Sequence, residues 1–295
     1  MKKLSAEFQI VLSMIIFGTI GLFVREISLS SGMIAMTRGF VGMFFLLFVM
    51  LIRGKGIDAA SLKKNIKLLI LSGIFIGVNW IFLFESYRFT TVAVSTLCYY
   101  LAPVFVIAVS PFIFKEKLTA KKLLCTVTAF LGAVLVSGIL KDGKRNMSEL
   151  TGVVLAVLAA IFYASVVIIN KKICGIPPLE RTMSQLGFAA AVLLPYVICT
   201  FDISKLSLTP VSVLLLLAVG ILHTGFAYTL YFGSIEKLKA QTTAILSYID
   251  PVTAIFVSAV LLKERLDFQT VLGAVMILGA ALFYELSGKS EEKSS

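Results

Sequence analysis

One segment of the chain occurs twice. Tyr100-Leu101-Ala102-Pro103-Val104 leads through Val109-Ser110 to Lys115-Glu116-Lys117-Leu118. It returns 148 positions later as Tyr248-Ile249-Asp250-Pro251-Val252, leading through Val257-Ser258 to Lys263-Glu264-Arg265-Leu266. Tyr, Pro, Val, Ile, Val, Ser, Lys, Glu and Leu hold matched places without a gap. A repeat of about half the 295-residue chain means two copies of one structural unit. The fold must therefore be assembled from two like halves.

Composition decides the solvent those halves face. Apolar residues make up 59% of the chain and charged residues 15%, against roughly 25% charge in a soluble domain. Lipid, not water, must cover most of the surface. A membrane-crossing helix needs about 20 apolar residues, and ten such runs occur: 8–24, 33–52, 67–86, 92–113, 122–139, 151–170, 182–200, 211–232, 241–262 and 270–285. The runs are continuous and lack the period-two alternation of barrel strands, so an all-α polytopic membrane protein is expected.

The net charge of +11 is unevenly placed. With the N-terminus in the cytoplasm, eighteen Lys and Arg fall on inner segments and eight on outer ones, which puts both termini in the cytoplasm. No basic patch is interleaved with aromatics on a soluble module, so nucleic acid is not an expected partner. The first apolar run reads as a retained helix, because no small-residue cleavage pattern follows it.

Five segments per half is an odd number, so the second half enters the membrane from the opposite side. This is an inverted repeat, with its pseudo-two-fold axis in the membrane plane. Glu116 is then expected inside and Glu264 outside. The halves are expected at 1–145 and 146–287, separated near Lys141-Asp142-Gly143-Lys144-Arg145, and 288–295 as a disordered cytoplasmic tail. The basic stretch from Arg53 to Ile66 is expected to lie on the membrane surface. Thr119 and Asp267 sit where a side-chain oxygen caps a helix start.

Catalytic vocabulary is absent. Cys98, Cys125, Cys174 and Cys199 are scattered without paired spacing, and there is a single His. They form neither a disulfide framework nor a metal set. No phosphate-cradling Gly loop, nucleophile elbow or His-Glu-x-x-His motif occurs. Neither a cofactor nor an enzymatic activity is expected.

The duplicated five-helix unit, the Tyr-x-x-Pro-Val element leading to a Glu-x-Leu turn, and the Gly-containing helices after it (Leu131-Gly132-Ala133, Leu278-Gly279-Ala280) resemble the EamA-type permeases of the drug/metabolite transporter superfamily. The resemblance covers essentially the whole chain. It departs at Lys115 and Lys263, where the family often has a small residue. Arg38 stands where the family often has an Arg, and Asp250 where its second half often has an acid. The resemblance implies a central cavity surrounded by helices 1, 3, 4, 6, 8 and 9, with 5 and 10 outside it. It also implies efflux of metabolites, amino acids or related compounds across a bacterial inner membrane.

Polar groups inside the apolar runs are the candidate site. An ionisable residue at mid-membrane is costly unless paired or facing a wet cavity. Asp250 leads, on a small or polar face with Thr243, Ser247, Ala254 and Ser258. It is read either as a proton-coupling group or as a partner of backbone freed by Pro251. His223 is read either as a core histidine, bonding a backbone carbonyl or Asp250, or as a titrating group. Thr224, Tyr228 and Tyr231 share a face beside it. Asn79 and Trp80, Tyr99 and Tyr100, Tyr163 and Asn170, and Ser247 and Tyr248 complete the candidate solute-binding set, with helix packing or interfacial anchoring as the alternative for each aromatic. Gly73 and Gly77 mark close helix packing. Glu85, Glu116, Glu264 and Glu285 are expected near helix ends in solvated or structural roles.

These features point to a secondary transporter of small organic solutes, monomeric or homodimeric, in the lipid bilayer of the plasma membrane. Alternatives are an intramembrane enzyme, which would need clustered carboxylates, His or Cys near one interface, and a non-transporting receptor or scaffold.

Overall fold

A computed structural model describes residues 5–54, 56–114, 120–136, 147–200, 209–235, 237–238 and 246–292. Its ten helical spans follow the apolar runs: α1 (Ala6–Glu26), α2 (Ser31–Ile52), α3 (Ala59–Phe89), α4 (Val92–Val109, continuing to Phe114), α5 (Ala120–Val136), α6 (Met147–Asn170), α7 (Pro178–Thr200), α8 (Pro210–Ser234), α9 (Ile249–Val260) and α10 (Phe268–Glu292). Over the described residues, seven are long and apolar enough to cross a bilayer, and α5, α9 and α10 contribute shorter apolar helices.

Side-chain caps set several boundaries. Ser5, Ser30, Thr91 and Thr209 each accept a hydrogen bond from a backbone N–H three residues on. Each satisfies a donor that the helix start leaves over. Asp267 does the same for Thr270 N at 2.8 Å. Asp58 accepts from the N–H groups of Ala60 and Ser61, both at 3.1 Å. That cap makes residues 59–66 the first two turns of α3, where the sequence reading expected a surface loop. At the other end of the chain, α10 continues through Glu292 into the stretch expected to be disordered. Each added residue there extends an existing hydrogen-bond ladder. Glu116, Thr119, the 141–145 loop and Thr243 lie outside the described residues.

The packing order is two-fold. Helix α3 runs along α6 as α8 runs along α1, and α4 packs on α6 as α9 packs on α1. Helix α2 meets α8 as α7 meets α3, while α2 and α7, α4 and α9, and α5 and α10 each meet their own counterpart. Exchanging the halves leaves this pattern unchanged, as an inverted repeat requires.

Small residues allow the close crossings. A Cβ on Gly73 would lie 2.6 Å from Phe188 Cβ, and one on Gly77 would lie 3.0 Å from Leu193 Cγ, so the spaced pair seats α3 on α7. Gly132 and Gly273 set α5 against α10 in the same way. Between helices in lipid, contact of this kind replaces the hydrophobic effect as the source of cohesion.

Three spans are interrupted. Helix α1 breaks at Thr19, between segments Ala6–Gly18 and Ile20–Glu26. Helix α4 breaks at Tyr100-Leu101, between Val92–Tyr99 and Ala102–Phe114. In the second half the described part of α9 starts after a turn at Tyr248. The last two breaks fall at matched places, each just before the repeat's proline. A proline ring blocks the ladder there and leaves backbone groups to be satisfied by other means. Within α8, residues Ile221–Phe226 form a π-helical turn.

Candidate functional site

The two proline breaks meet. Tyr100 Oη donates to Asp250 Oδ2 at 2.8 Å, joining α4 of one half to α9 of the other. The sequence reading placed Ser247 and His223 nearest Asp250. Tyr100 is a partner of the acid that the reading did not name, and the histidine takes the backbone carbonyl that the reading allowed as the alternative. His223 is fully buried, with Nε2 3.0 Å from Thr19 Oγ1 and Nδ1 3.3 Å from Ala218 O. The π-turn explains this placement. Its wider winding carries His223 to the break in α1, and lets Thr224 Oγ1 donate to Val219 O at 2.9 Å. Single π-turns of this kind occur often at functional sites.

Aromatic rings fill the space around the Tyr100–Asp250 contact. Tyr99 packs on Tyr163 with ring centroids 5.4 Å apart and on Tyr100 at 6.5 Å. Phe17 meets Tyr228 at 5.2 Å, and Tyr228 meets Phe232 at 5.9 Å. Tyr163 keeps 42% of its surface accessible. It shares its helical face with Ala156, Ala159, Ala160 and Val166, all buried, and points away from the lipid-exposed Val154 and Ile161. Its accessible surface therefore opens inward, into a cavity between the halves. Tyr99, Tyr100, Tyr228 and Asp250 are partly buried around the same space.

Arg38 closes one wall. It is 4% exposed, its guanidinium lies 4.1 Å from the centroid of the Trp80 ring and 5.4 Å from that of Phe84, and Nε donates to Thr224 Oγ1 at 3.1 Å. Trp80 is thus the platform of a buried cation. Tyr228 and Tyr87 each interact electrostatically with both Arg38 and Asp250. The sequence reading mentioned Arg38 only through its family position. Its location inside an apolar run was the available signal, because an intramembrane cation is a functional candidate on that ground alone.

The other candidates make contacts of their own. Asn79 Nδ2 donates to Ala159 O at 2.6 Å and the same side chain hydrogen-bonds Tyr99, so it fixes α3 to α6 and orients a cavity tyrosine. Asn170 Oδ1 accepts from Gln185 Nε2 at 2.6 Å, a tie between α6 and α7. Tyr248 lines an almost wholly apolar crevice of about 430 Å³ between α9 and α10, with Leu97, Val252 and Leu278. Ser247 is partly buried at the break before α9. Among the described residues, no three His, Cys, Asp or Glu come together as a metal site.

Polar ties cross between the halves at both ends of the bundle. At one end Glu264, with a side chain 6% exposed, pairs with Arg25. It also accepts from the Val92 backbone N–H at 3.0 Å and from the Ser258 hydroxyl. A carboxylate there takes the Val92 N–H, a donor at the start of α4 that the Thr91 cap leaves over. At the other end Glu180 Oε1 accepts from Asp58 N at 2.9 Å, and Asn65 Nδ2 donates to Cys174 O at 3.0 Å.

A helical membrane protein of two like halves, broken at matched prolines around an internal aromatic cavity, has the architecture of a secondary transporter. The comparisons agree. The model of the EamA-like transporter family matches residues 4–138 and again 150–285, and the chain belongs to that family. An uncharacterized transporter of Bacillus subtilis, YxxF, is 33% identical over 284 residues, covering 95% of this chain and 90% of YxxF. A probable amino-acid metabolite efflux pump of Salmonella typhimurium is 26% identical over 193 residues, 62% of this chain and 64% of the pump. A solved crystal structure shares the fold with a TM-score of 0.67 at 17% identity, over 98% of this chain and 99% of its own.

Proposed function

We propose that the protein exports small organic solutes by alternating access around the cavity, with Asp250 coupling transport to protons. The halves, 1–145 and 146–287, rock against each other, with both termini in the cytoplasm of a bacterial inner membrane. The observation that carries this reading is the hydrogen bond from Tyr100 to Asp250, because it joins the two discontinuous helices across the cavity. A carboxyl at that depth is either paired or protonated. Gaining a proton therefore weakens the bond that Tyr100 donates to the carboxylate, and losing it restores a bond between moving parts. Export is supported by the name of the Salmonella relative.

The test is transport in proteoliposomes holding a panel of amino acids and amphiphilic compounds. Asp250→Asn preserves size and hydrogen bonding but does not titrate. It is expected to lose accumulation driven by a pH gradient while retaining solute exchange. A variant still driven at the wild-type rate would remove Asp250 from coupling and leave it as a structural partner of the break.

A further inference from the structure

Arg38 carries a charge that no described residue neutralises. Among the described residues, ion pairs are made by Arg25 with Glu264 and by Arg88 with Glu85, and none reaches Arg38. Its one hydrogen bond among those residues runs from Nε to Thr224 Oγ1. Stacking on Trp80 and Phe84 offsets part of the desolvation cost. A buried cation without a counter-ion is otherwise expensive, and a guanidinium does not escape by losing its proton. The Thr224 contact occupies the Nε edge, which leaves the Nη donors as a fork. That geometry matches a carboxylate with two parallel hydrogen bonds.

The surroundings limit the size of the missing charge. Tyr87, Tyr99, Tyr228 and His223 interact electrostatically with Arg38, and the carboxylate of Asp250 is held by Tyr100. One cation facing tyrosines suits a monoanion; a phosphate dianion would stay half uncompensated in a poorly solvated site. We propose that Arg38 is the anion-recognising group of the cavity, and that the transported solute carries a carboxylate that docks on its guanidinium. This inference rests on the transporter reading above. It assigns the solute's chemistry through a residue that the proton-coupling step does not use.

Trp80 is the only tryptophan of the chain and lies against this guanidinium, so its intrinsic fluorescence reports on the site. The experiment titrates purified protein in lipid nanodiscs with matched probes: the non-fluorescent amino acids, their amides, the corresponding decarboxylated amines, and simple monocarboxylates. Carboxylate-bearing probes are expected to change the fluorescence saturably, and the matched amides and amines are not. Arg38→Gln should weaken that binding at least about thirtyfold, as removal of one partner of a desolvated charge pair does. Arg38→Lys should fall between, because it keeps the charge and loses the fork.

The wild-type series decides the matter even if Arg38→Gln does not fold. Amines or amides binding as tightly as their carboxylates would overturn the proposal. So would the absence of any saturable response to a carboxylate, or unchanged carboxylate affinity in a monodisperse Arg38→Gln. Exchange in proteoliposomes separates this inference from the one beneath it. Transport of amines but not carboxylates would sink the Arg38 assignment and leave the transporter, whereas Arg38-dependent carboxylate binding without transport would do the reverse.

Discussion

Tyr100 and Asp250 hold together two helices that each lose their regular ladder just before a proline, one from each half of the repeat. The hydroxyl of the first half's tyrosine donates to the carboxylate of the second half's acid at 2.8 Å. The repeat places Tyr248 opposite Tyr100 and Ala102 opposite Asp250, so the contact has no symmetric copy. The halves are thus alike in packing order but unlike in the chemistry that they bring to this contact.

Tyr100→Phe tests that contact without touching the acid. A hydrogen bond to a charged group is worth about 1.5–3 kcal/mol. Losing it should shift the pH at which gradient-driven transport is half-maximal while leaving solute affinity nearly unchanged. Transport rates across a pH series, wild type against Tyr100→Phe, give the answer; superimposable profiles would rule out a role for the contact in proton exchange.

Glu264 and Arg25 should contribute unequally to closing their end of the bundle. The glutamate side chain is 6% exposed and that of the arginine 41%. Glu264→Gln weakens the acceptor of both Val92 N–H and the Ser258 hydroxyl, and a buried donor left unsatisfied costs about 1–3 kcal/mol. Arg25→Gln removes a half-exposed partner, for which about 0–1 kcal/mol is usual. Melting temperatures in detergent should rank Glu264→Gln below Arg25→Gln.

Two glycines should respond oppositely to a methyl group. Gly73→Ala brings a Cβ to 2.6 Å from Phe188 Cβ and 3.0 Å from Ala189 N, an overpacking cost of about 1–3 kcal/mol. Gly279→Ala meets nothing within 4 Å inside α10 and should be neutral, or stabilising by up to about 1 kcal/mol. Thermal stability of the pair checks the α3–α7 crossing.

The start of α3 should depend on pH. The Ser61 hydroxyl, followed by the Ser61 backbone N–H, holds the exposed Asp58 carboxyl below the usual carboxylate range. A lowered folded value means that the cap is fully present above the ordinary carboxylate pKa and is lost as pH falls through the lowered one. NMR titration of the Asp58 carboxyl carbon should show a midpoint below that of free aspartate, and Asp58→Asn should remove the dependence. A midpoint at the free value would remove the cap.

Topology is open to a direct check. Cysteines introduced at positions 117 and 265, in a background without the four native thiols, should react with an impermeant reagent from opposite sides of the membrane. Position 117 is expected inside and 265 outside. Labelling of both from one side would refute the inverted arrangement of the two Lys-Glu turns.

The sequence by itself determined the membrane class, the ten helices and their two-fold repetition. Those follow from run length, charge placement and internal similarity, which are properties of the chain read in order. Asp250 was legible for the same reason, since a carboxylate inside an apolar run has few places to go. The identity of its partner was a matter for the tertiary structure alone. Tyr100 lies 150 residues away, and only packing of α4 against α9 brings the two together. Packing also gave Asn79 and Asn170 to helix ties, turned Tyr248 outward to the α9–α10 crevice, and carried His223 to Thr19 through a π-turn that no local pattern announces. Arg38 shows the division most plainly. Its charge is written in the sequence, but the absence of a carboxylate beside it among the described residues depends on which side chains the fold brings within 4 Å, and that is set by distances in space rather than positions along the chain.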